Sequence, residues 1–179
     1  MPAKFAPQLS HFGLFCRDIE SLSTFYRQVF DLVETDRGQG VTFSSTLIFL
    51  SGNPEQHHQL VLASGRAADS PSTVMQVSFK VQSIDDLREA RVRALALGAT
   101  RMRGLNHGNA LSIYFSDPED NTIEVYLDTP WYVTQPHGDP LDLDRPDDEI
   151  WAATELNCRA DPTFRPAGDW RDSFVRPQR

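Results

Sequence analysis

The sequence has few cysteines, no block of basic residues and no long apolar run. Its two cysteines, Cys16 and Cys158, are too few for a disulfide framework and are expected to be small buried side chains in a reducing compartment. The formal net charge of -8 and the absence of a basic run argue against nucleic acid as a partner. No apolar run approaches the ~20 residues that a membrane helix needs, so no membrane association is expected.

The first ten residues lack the apolar segment of a secretory signal, so a cytoplasmic location is expected. The length of 179 residues allows one well-buried domain or two fused half-domains. A chain that is 40% apolar and 23% charged is typical of soluble globular proteins. The acidic balance suits an enzyme that handles small molecules.

One pattern occurs twice in the chain, at an offset of 65 residues. The run that begins at His11 aligns without a gap on the run that begins at Gln76, and at the same offset Gln59 aligns on Glu124. A duplicated unit builds a pseudo-symmetric core in which equivalent positions converge. The converging positions carry His, Gln, Gln and Glu, which predicts a metal pocket.

Each copy of the pattern predicts a strand, a helix and further antiparallel strands. The first helix is capped by Asp18, and residues 36–40 are predicted as a turn. The second helix begins with a capping box, Ser83 to Asp86, and ends at Gly98. The predicted strands cover residues 9–16, 41–50, 57–63, 75–81, 100–103, 110–116 and 122–128.

The predicted fold class is therefore α+β. Two βαβββ modules, residues 1–66 and 67–128, are expected to form an open cup-shaped mixed β-barrel with the pocket inside. A C-terminal extension follows, residues 129–179, with seven of the twelve prolines and all three tryptophans. It is predicted to contain a short helix from about Asp147 to Arg159, capped by Asp147 or Asp148.

Three buried tryptophans would contribute a few kcal/mol each through area removed from water. The extension is therefore expected to wrap over the core or to clasp a neighbouring subunit. A disordered extension is the alternative.

Glu124 stands between Ile123 and Val125 in a predicted strand. Its carboxylate is either solvated or buried with partners, and convergence with His11 favours the second interpretation. A single histidine such as His11 is, taken alone, typical of a satisfied side chain at a strand edge.

The other polar candidates each have an ordinary structural interpretation. His57 and His58, predicted to open a strand, resemble a polar surface pair. His107 precedes Gly108 and is typical of a turn, and Tyr114 alternates with apolar neighbours like a core ring. No role is assigned to His137, which lies in the proline-rich extension.

Taken together, these residues resemble the vicinal oxygen chelate superfamily, which includes glyoxalase I, bleomycin- and fosfomycin-resistance proteins and type I extradiol ring-cleavage dioxygenases. The resemblance covers about residues 8–128, and it is greatest to dioxygenases of the biphenyl-2,3-diol 1,2-dioxygenase type. It is carried by His11-Phe-Gly-Leu, Phe25-Tyr26, His57-His58-Gln-Leu-Val-Leu, His107-Gly108, Tyr114 and the run from Phe115 to Tyr126.

The resemblance implies a divalent metal held by His11, Gln76 and Glu124. The metal would be Fe(II) in a dioxygenase, with Mn, Ni or Zn as alternatives. His58 would be the acid–base histidine beside bound oxygen, and His107 and Tyr114 would hydrogen-bond the substrate hydroxyls and help to move protons. The implied partners are a small aromatic diol and O2, in a homodimer or higher homo-oligomer.

Gln76 departs from the family pattern, which has a second histidine at this position. A carboxamide oxygen is a neutral and weaker donor to Fe(II) than imidazole. Three outcomes stay open: Gln76 ligates weakly, as Gln or Glu does in glyoxalase-like members, His58 substitutes for it, or the site has lost its metal.

A second open question is whether His58 or Gln59 faces the pocket. The ungapped repeat makes Gln59 the mate of Glu124, whereas the resemblance favours His58. Strand alternation would place the two side chains on opposite faces.

The expected function is metal-dependent, oxygen-dependent ring cleavage of a catechol-like diol. One alternative is a glyoxalase-like isomerase or lyase, or a thiol transferase, that uses another divalent metal. The other alternative is a metal-free protein that binds an aromatic compound, as bleomycin-resistance proteins do.

Overall fold

A computed structural model describes residues 7–174 of the chain. It divides between Thr73 and Val74 into two compact units. Each unit contains one βαβββ module, and the second also carries the C-terminal extension. The predicted α+β class with two βαβββ modules is confirmed.

The first unit is a four-stranded sheet with one helix. Its sheet has the order β1-β4-β3-β2, in which β1 and β4 are parallel and the other neighbours antiparallel. The elements are β1 Phe12–Cys16, α1 Ile19–Phe30, β2 Val33–Gln39, β3 Thr46–Ser51 and β4 Leu60–Ser64.

The helix α1 forms where the sequence signals are strongest. The side chain of Asp18 accepts a hydrogen bond from the backbone N–H of Ser21 (3.0 Å), as a helix N-cap does. Leu22, Phe25 and Tyr26 recur at helical spacing and are buried against the sheet. The helix therefore covers one face of the sheet, and we call the opposite side the helix-free face.

The second unit repeats this arrangement. Its module has the strand order β6-β7-β8-β5, in which β5 and β8 are parallel, and α2 covers the face that bears Ile113, Ile123 and Val125. The elements are β5 Val77–Lys80, α2 Ile84–Ala96, β6 Thr100–Asn106, β7 Ala110–Ser116 and β8 Thr122–Asp128.

The capping signals of α2 are confirmed. The hydroxyl of Ser83 accepts from the N–H of Asp86, and the carboxylate of Asp86 accepts from the N–H of Ser83. After the helix, Gly98 has a φ of +84°, a left-handed conformation that suits glycine.

The strand register corrects one detail of the predicted repeat. Gly13 pairs with Val61, whereas Ser78, which is 65 residues after Gly13, pairs with Glu124. Val61, and not Gln59, therefore occupies the position that corresponds to Glu124. Val61 lies two residues after Gln59, so in a regular strand the two side chains would lie on the same side of the sheet.

Several predicted element bounds are wrong; the strand predicted over residues 41–50, for example, begins only at Thr46. Residues 36–40, predicted as a turn, belong mostly to β2, because residues 36–39 pair with β3 and only Gly40 falls in the following loop. His57 and His58 do not open a strand, since β4 begins at Leu60. Both segments are polar and have weak strand propensity, and only in β2 does backbone pairing outweigh it.

The C-terminal extension packs on the second unit. The predicted helix is present, although its N-cap is Pro146 and not an aspartate, and no side chain caps it. Trp131 packs against Trp151, and Tyr132 stacks on Trp170. The elements are β9 Trp131–Tyr132, β10 Asp139–Pro140, α3 Asp147–Ala160, β11 Arg165–Pro166 and α4 Ala167–Asp172.

The extension also completes one edge of the second sheet. The strand β10 pairs with β6, and the N–H of Leu141 donates to the carbonyl of Gly104 (3.3 Å). A Cβ at Gly104 would lie 2.2 Å from the carbonyl oxygen of Leu141, which no real contact allows. Glycine is therefore required for this close approach.

Among residues 7–174 no helix is long and apolar enough to cross a membrane.

Gly104→Ala should destabilise the protein by about 1–3 kcal/mol, because the added methyl group would push β10 away from β6. Urea unfolding measures the loss. Gly138→Ala is the matched control, since nothing lies within 4 Å of a Cβ built there. Equal stability of the two variants would contradict the packing described.

Candidate functional site

Glu124 is the centre of a polar cluster on the helix-free face of the second unit. It lies in the middle of β8, opposite Tyr114 of β7 and Ser78 of β5. Only 8% of its surface is exposed. The prediction that this carboxylate is buried and partnered is confirmed.

Four side chains donate hydrogen bonds to the Glu124 carboxylate. Oε1 accepts from the hydroxyls of Tyr114 and Ser112, the latter at 3.1 Å. Oε2 accepts from the Ser78 hydroxyl (2.7 Å) and from Nε2 of Gln76 (2.8 Å). A carboxylate has about four lone-pair positions, so the acceptor capacity of Glu124 is filled.

Tyr114 links Glu124 to His107. The Tyr114 oxygen lies 2.9 Å from Nε2 of His107, and Nδ1 of His107 donates to the backbone carbonyl of His137 (2.7 Å). Burial first, and then the hydrogen bond and charge of Glu124, raise the pKa of the Tyr114 hydroxyl. This hydroxyl therefore keeps its proton.

The Tyr114 hydroxyl stands between two close partners, Nε2 of His107 and Oε1 of Glu124, and has one hydrogen to share between them. A hydroxyl held between an imidazole and a carboxylate is an arrangement suited to acid–base chemistry.

An open depression of about 240 Å³ lies over these hydrogen-bonded residues. Its floor includes His107, Tyr114 and Glu124, and its apolar lining includes Ala110 and Tyr126. A small molecule in the depression would meet both an acid–base chain and an apolar wall.

Arg103 and Gln135, beside the depression, further restrain the hydrogen-bonded residues Tyr114 and His107. The guanidinium of Arg103 lies 5.0 Å from the centre of the Tyr114 ring, within cation–π distance. The Gln135 side chain donates to the carbonyl of His107 (2.8 Å). These contacts restrain the tyrosine ring and the turn that holds the histidine.

A second polar cluster lies in the first unit. The rings of His11 and His58 are 4.2 Å apart between centres, and the ring of Phe49 is 5.1 Å from that of His58. Phe49 pairs with Val61 on the helix-free face of the first sheet. His58 therefore faces this side, whereas the side chain of Gln59 accepts from the N–H of Gly52.

His57 supports His58 from the other side. Nδ1 of His57 lies 2.9 Å from Nδ1 of His58, and Nε2 of His57 lies 3.4 Å from the carboxylate of Asp36. Burial first, and then the charges of His11 and His57, lower the pKa of His58. His58 is therefore neutral at pH 7.

The lone pairs of these residues decide how well they suit a divalent metal. Gln76 directs its NH2 group at Glu124 and Ser78, and an amide nitrogen has no lone pair to offer. Glu124 could ligate only after losing the hydrogen bond from Gln76. Gln76 could therefore ligate only through Oε1, the polar atom of its side chain that makes neither of these hydrogen bonds. By contrast, the described hydrogen bonds leave Nε2 of His58 without a partner.

Among residues 7–174, no group of three or more His, Cys, Asp or Glu side chains is arranged to hold a metal ion. The predicted set of His11, Gln76 and Glu124 stays a prediction.

The sequence of residues 8–125 matches the model of the family described as the glyoxalase/bleomycin resistance protein/dioxygenase superfamily. The chain belongs to this superfamily. The resemblance predicted from the motifs is thereby confirmed, and the match covers both βαβββ modules.

One curated relative within the superfamily is biphenyl-2,3-diol 1,2-dioxygenase 3 of Rhodococcus globerulus, 23% identical over 128 residues. The match covers 68% of this chain and 64% of the relative, so the chain spans less than two thirds of that protein's length.

Solved structures of the superfamily share the fold. The fosfomycin resistance protein FosX of Listeria monocytogenes, complexed with Mn(II) and sulfate, is 23% identical with a TM-score of 0.55, over 70% of this chain and 95% of that chain. FosX of Mesorhizobium loti is 25% identical, TM-score 0.54, over 70% and 94%. A superfamily domain from Frankia sp. EAN1pec is 22% identical, TM-score 0.58, over 74% and 96%.

The structure brings together Gln76, Glu124, His107 and Tyr114 in the second unit, and His11 and His58 in the first. Sequence reasoning missed several members of these clusters. The sequence did carry a signal for two serines. Ser78 stands two residues from Gln76 and Ser112 two residues from Tyr114, so each lies on the same strand face as a predicted site residue. The missed residues are Ser78, Ser112, Asp36, Gln135 and the backbone of His137.

Glu124→Gln should destabilise the protein by about 1–3 kcal/mol, because one carboxylate oxygen becomes an NH2 group that faces two donors. Urea unfolding measures the change. Asp128→Asn on the same strand removes an exposed pair with Lys80 and should change stability by less than about 0.5 kcal/mol. A Gln variant as stable as the native protein would show that the four hydrogen bonds do not form.

Proposed function

We propose that this chain is a metal-dependent enzyme of the superfamily that cleaves the ring of a catechol-like aromatic diol with O2, in the extradiol manner. The observation that supports this most is the chain of His107, Tyr114 and Glu124 beneath an open depression with apolar lining. The likeness to a biphenyl-2,3-diol dioxygenase supports the same substrate class.

The diol is expected to bind over Tyr114 and His107. A catechol hydroxyl can replace one partner in the chain, donating to or accepting from the Tyr114 oxygen. The Tyr114 hydroxyl, with His107 and Glu124 behind it, is then in direct contact with the substrate oxygen. Positioning a proton source in this way typically accelerates a reaction by about 10²–10⁴-fold.

Apolar surface on each unit suits a flat aromatic ring. In the second unit Ala110 and Tyr126 line the depression. In the first unit the exposed rings of Phe15 and Phe43 lie in edge contact. Exposed aromatic rings on an otherwise polar surface are typical of small-molecule binding surfaces.

The required ion would be Fe(II), with Mn, Ni and Zn as alternatives, and His11 and Glu124 are the proposed ligands. When bound, the ion supplies Lewis acidity and one-electron exchange with oxygen. The structure of FosX from Listeria monocytogenes, solved in complex with Mn(II), supports the proposal of a divalent ion. Glu124 can ligate once the amide of Gln76 releases Oε2.

A metal-free protein that binds an aromatic compound is the second candidate. It is favoured by the filled acceptor capacity of Glu124, which has four hydrogen bonds without any ion. Metal content after purification without chelators separates the two. Stoichiometric Ni or Zn without oxygen chemistry would instead indicate an isomerase, lyase or thiol transferase.

The protein loaded anaerobically with Fe(II) should consume O2 on addition of a catechol and form a yellow ring-fission product. An oxygen electrode and visible absorbance follow the reaction, and treatment with a chelator before assay should abolish it. If no catechol in a panel with alkyl and aryl substituents supports O2 uptake, the proposed function is wrong.

Tyr114→Phe should lower kcat about 10²-fold or more, since it removes the hydroxyl that joins His107 to Glu124. Tyr132→Phe is the matched control: its ring stacks on Trp170 in the extension, away from the depression, and kcat should be unchanged. Steady-state kinetics measures both. Equal loss in the two variants would indicate a general structural effect and contradict the assigned role.

A further inference from the structure

The C-terminal extension forms a second pocket, beside the depression over Tyr114. Its volume is about 180 Å³, and it lies where the extension packs against the end of β8. We propose that this pocket binds a carboxylate that carries a single aromatic ring. Three aromatic and three polar side chains of its lining carry the argument: Trp131, Tyr132, Trp170, Asn109, Asp128 and Arg171.

The pocket is built by the extension of this chain and not by the superfamily module alone. The match to the superfamily model ends at residue 125, and the three aromatic rings and Arg171 all lie after it. The inference therefore goes beyond the proposed function, whose acid–base residues lie within the module, and does not depend on it.

Each tryptophan of the lining rests on a second ring. Trp131 packs edge-on against Trp151 of α3, with 6.1 Å between the ring centres. Trp170 of α4 stacks on Tyr132 at 5.7 Å, with 15° between the ring planes. The pairing of β9 with β11 fixes the segment that leads into α4. A surface that is ordered in advance loses little conformational entropy when a ligand binds.

The size of the pocket suits one ring. An apolar cavity of about 150 Å³ can hold one benzene molecule. A pocket of about 180 Å³ therefore has room for one ring and a small polar substituent. Trp170 keeps 39% of its surface exposed, so its ring has area left for a ligand to cover.

The polar groups of the lining favour an anion. The carboxylate of Asp128 pairs with Nζ of Lys80 (2.5 Å), which balances its charge. Oδ1 of Asn109 accepts from Gln135 (3.1 Å), which leaves the NH2 group of Asn109 as a donor. No hydrogen bond or ion pair joins the guanidinium of Arg171 to another residue that the structure describes. A donor and an unbalanced positive charge match a carboxylate.

Benzoate is the probe, and benzyl alcohol, a neutral molecule of similar size, is its matched control. The full chain is treated with a chelator, so that no metal ion can bind the carboxylate. Calorimetric titration measures affinity, and tryptophan fluorescence reports on Trp131 and Trp170. The native protein should bind one benzoate per chain about 10-fold more tightly than benzyl alcohol, since hydrogen bonds to a charged group are stronger than neutral ones.

Arg171→Gln should weaken benzoate binding about 10-fold and leave benzyl alcohol binding unchanged, because it removes the charge and no aromatic surface. Arg101→Gln is the matched control, since this arginine lies on β6 near Asp120, outside the pocket. Trp170→Leu should weaken the binding of both probes about 3–10-fold, because a stacking surface is lost. Circular dichroism confirms that each variant is folded.

The depression over Tyr114 is the competing location, because Asn109 lines both it and the pocket. Tyr114→Phe should leave the affinity for benzoate unchanged. If Tyr114→Phe weakens benzoate binding and Arg171→Gln does not, the acid binds in the depression and the inference is wrong. Equal affinity for the two probes, or no saturable binding of benzoate, would also overturn it. None of these outcomes decides the O2-uptake test, so the two proposals fail separately.

Discussion

A carboxylate that is taken out of water needs a hydrogen bond for nearly every lone pair, and this requirement organises the second unit around Glu124. Burial of an unpaired carboxylate would cost far more than the few kcal/mol by which a domain is stable. Donors must therefore come from both neighbouring strands. Ser78 on β5 and Ser112 and Tyr114 on β7 supply them, and strand pairing places them on the same side.

The same requirement explains why Tyr114 and His107 act as one group. Tyr114 has a single hydrogen for two close partners, so its state depends on both. The backbone of the extension enters this network through the carbonyl of His137. The extension thus contributes to the chemistry of a module that precedes it in the chain, as well as to its stability.

Local signals made much of the fold predictable. The caps at Asp18 and Ser83 and the bounds of β7 and β8 follow from short-range patterns, and all were predicted from sequence. The strand β2 was not, because Asp36 and Gly38 favour turns and only pairing with β3 makes them a strand. The parallel pairing of β1 with β4 also depends on contacts that no local pattern encodes.

The candidate site was predictable by chemistry and less so by geometry. Residues of distinctive chemistry, such as Glu124 and His107, could be found by type and spacing. Serines are common, so only their spacing from Gln76 and Tyr114 pointed to Ser78 and Ser112. The choice between His58 and Gln59 needed the chain to leave the regular strand before Leu60, which breaks the alternation that the sequence argument assumed.

The two sheets also differ at their edges. In the second unit β10 pairs with Leu105 and Asn106 of the outer strand β6, so backbone groups at this end of the edge have partners. In the first sheet β2 is the last strand, and it carries Glu34, Asp36 and Arg37 along its length. Charges on an exposed edge oppose pairing with a strand from another molecule. The two copies of the module thus protect an outer edge differently: a short strand covers the end of β6, and pairing along β2 would require charged side chains to lose water.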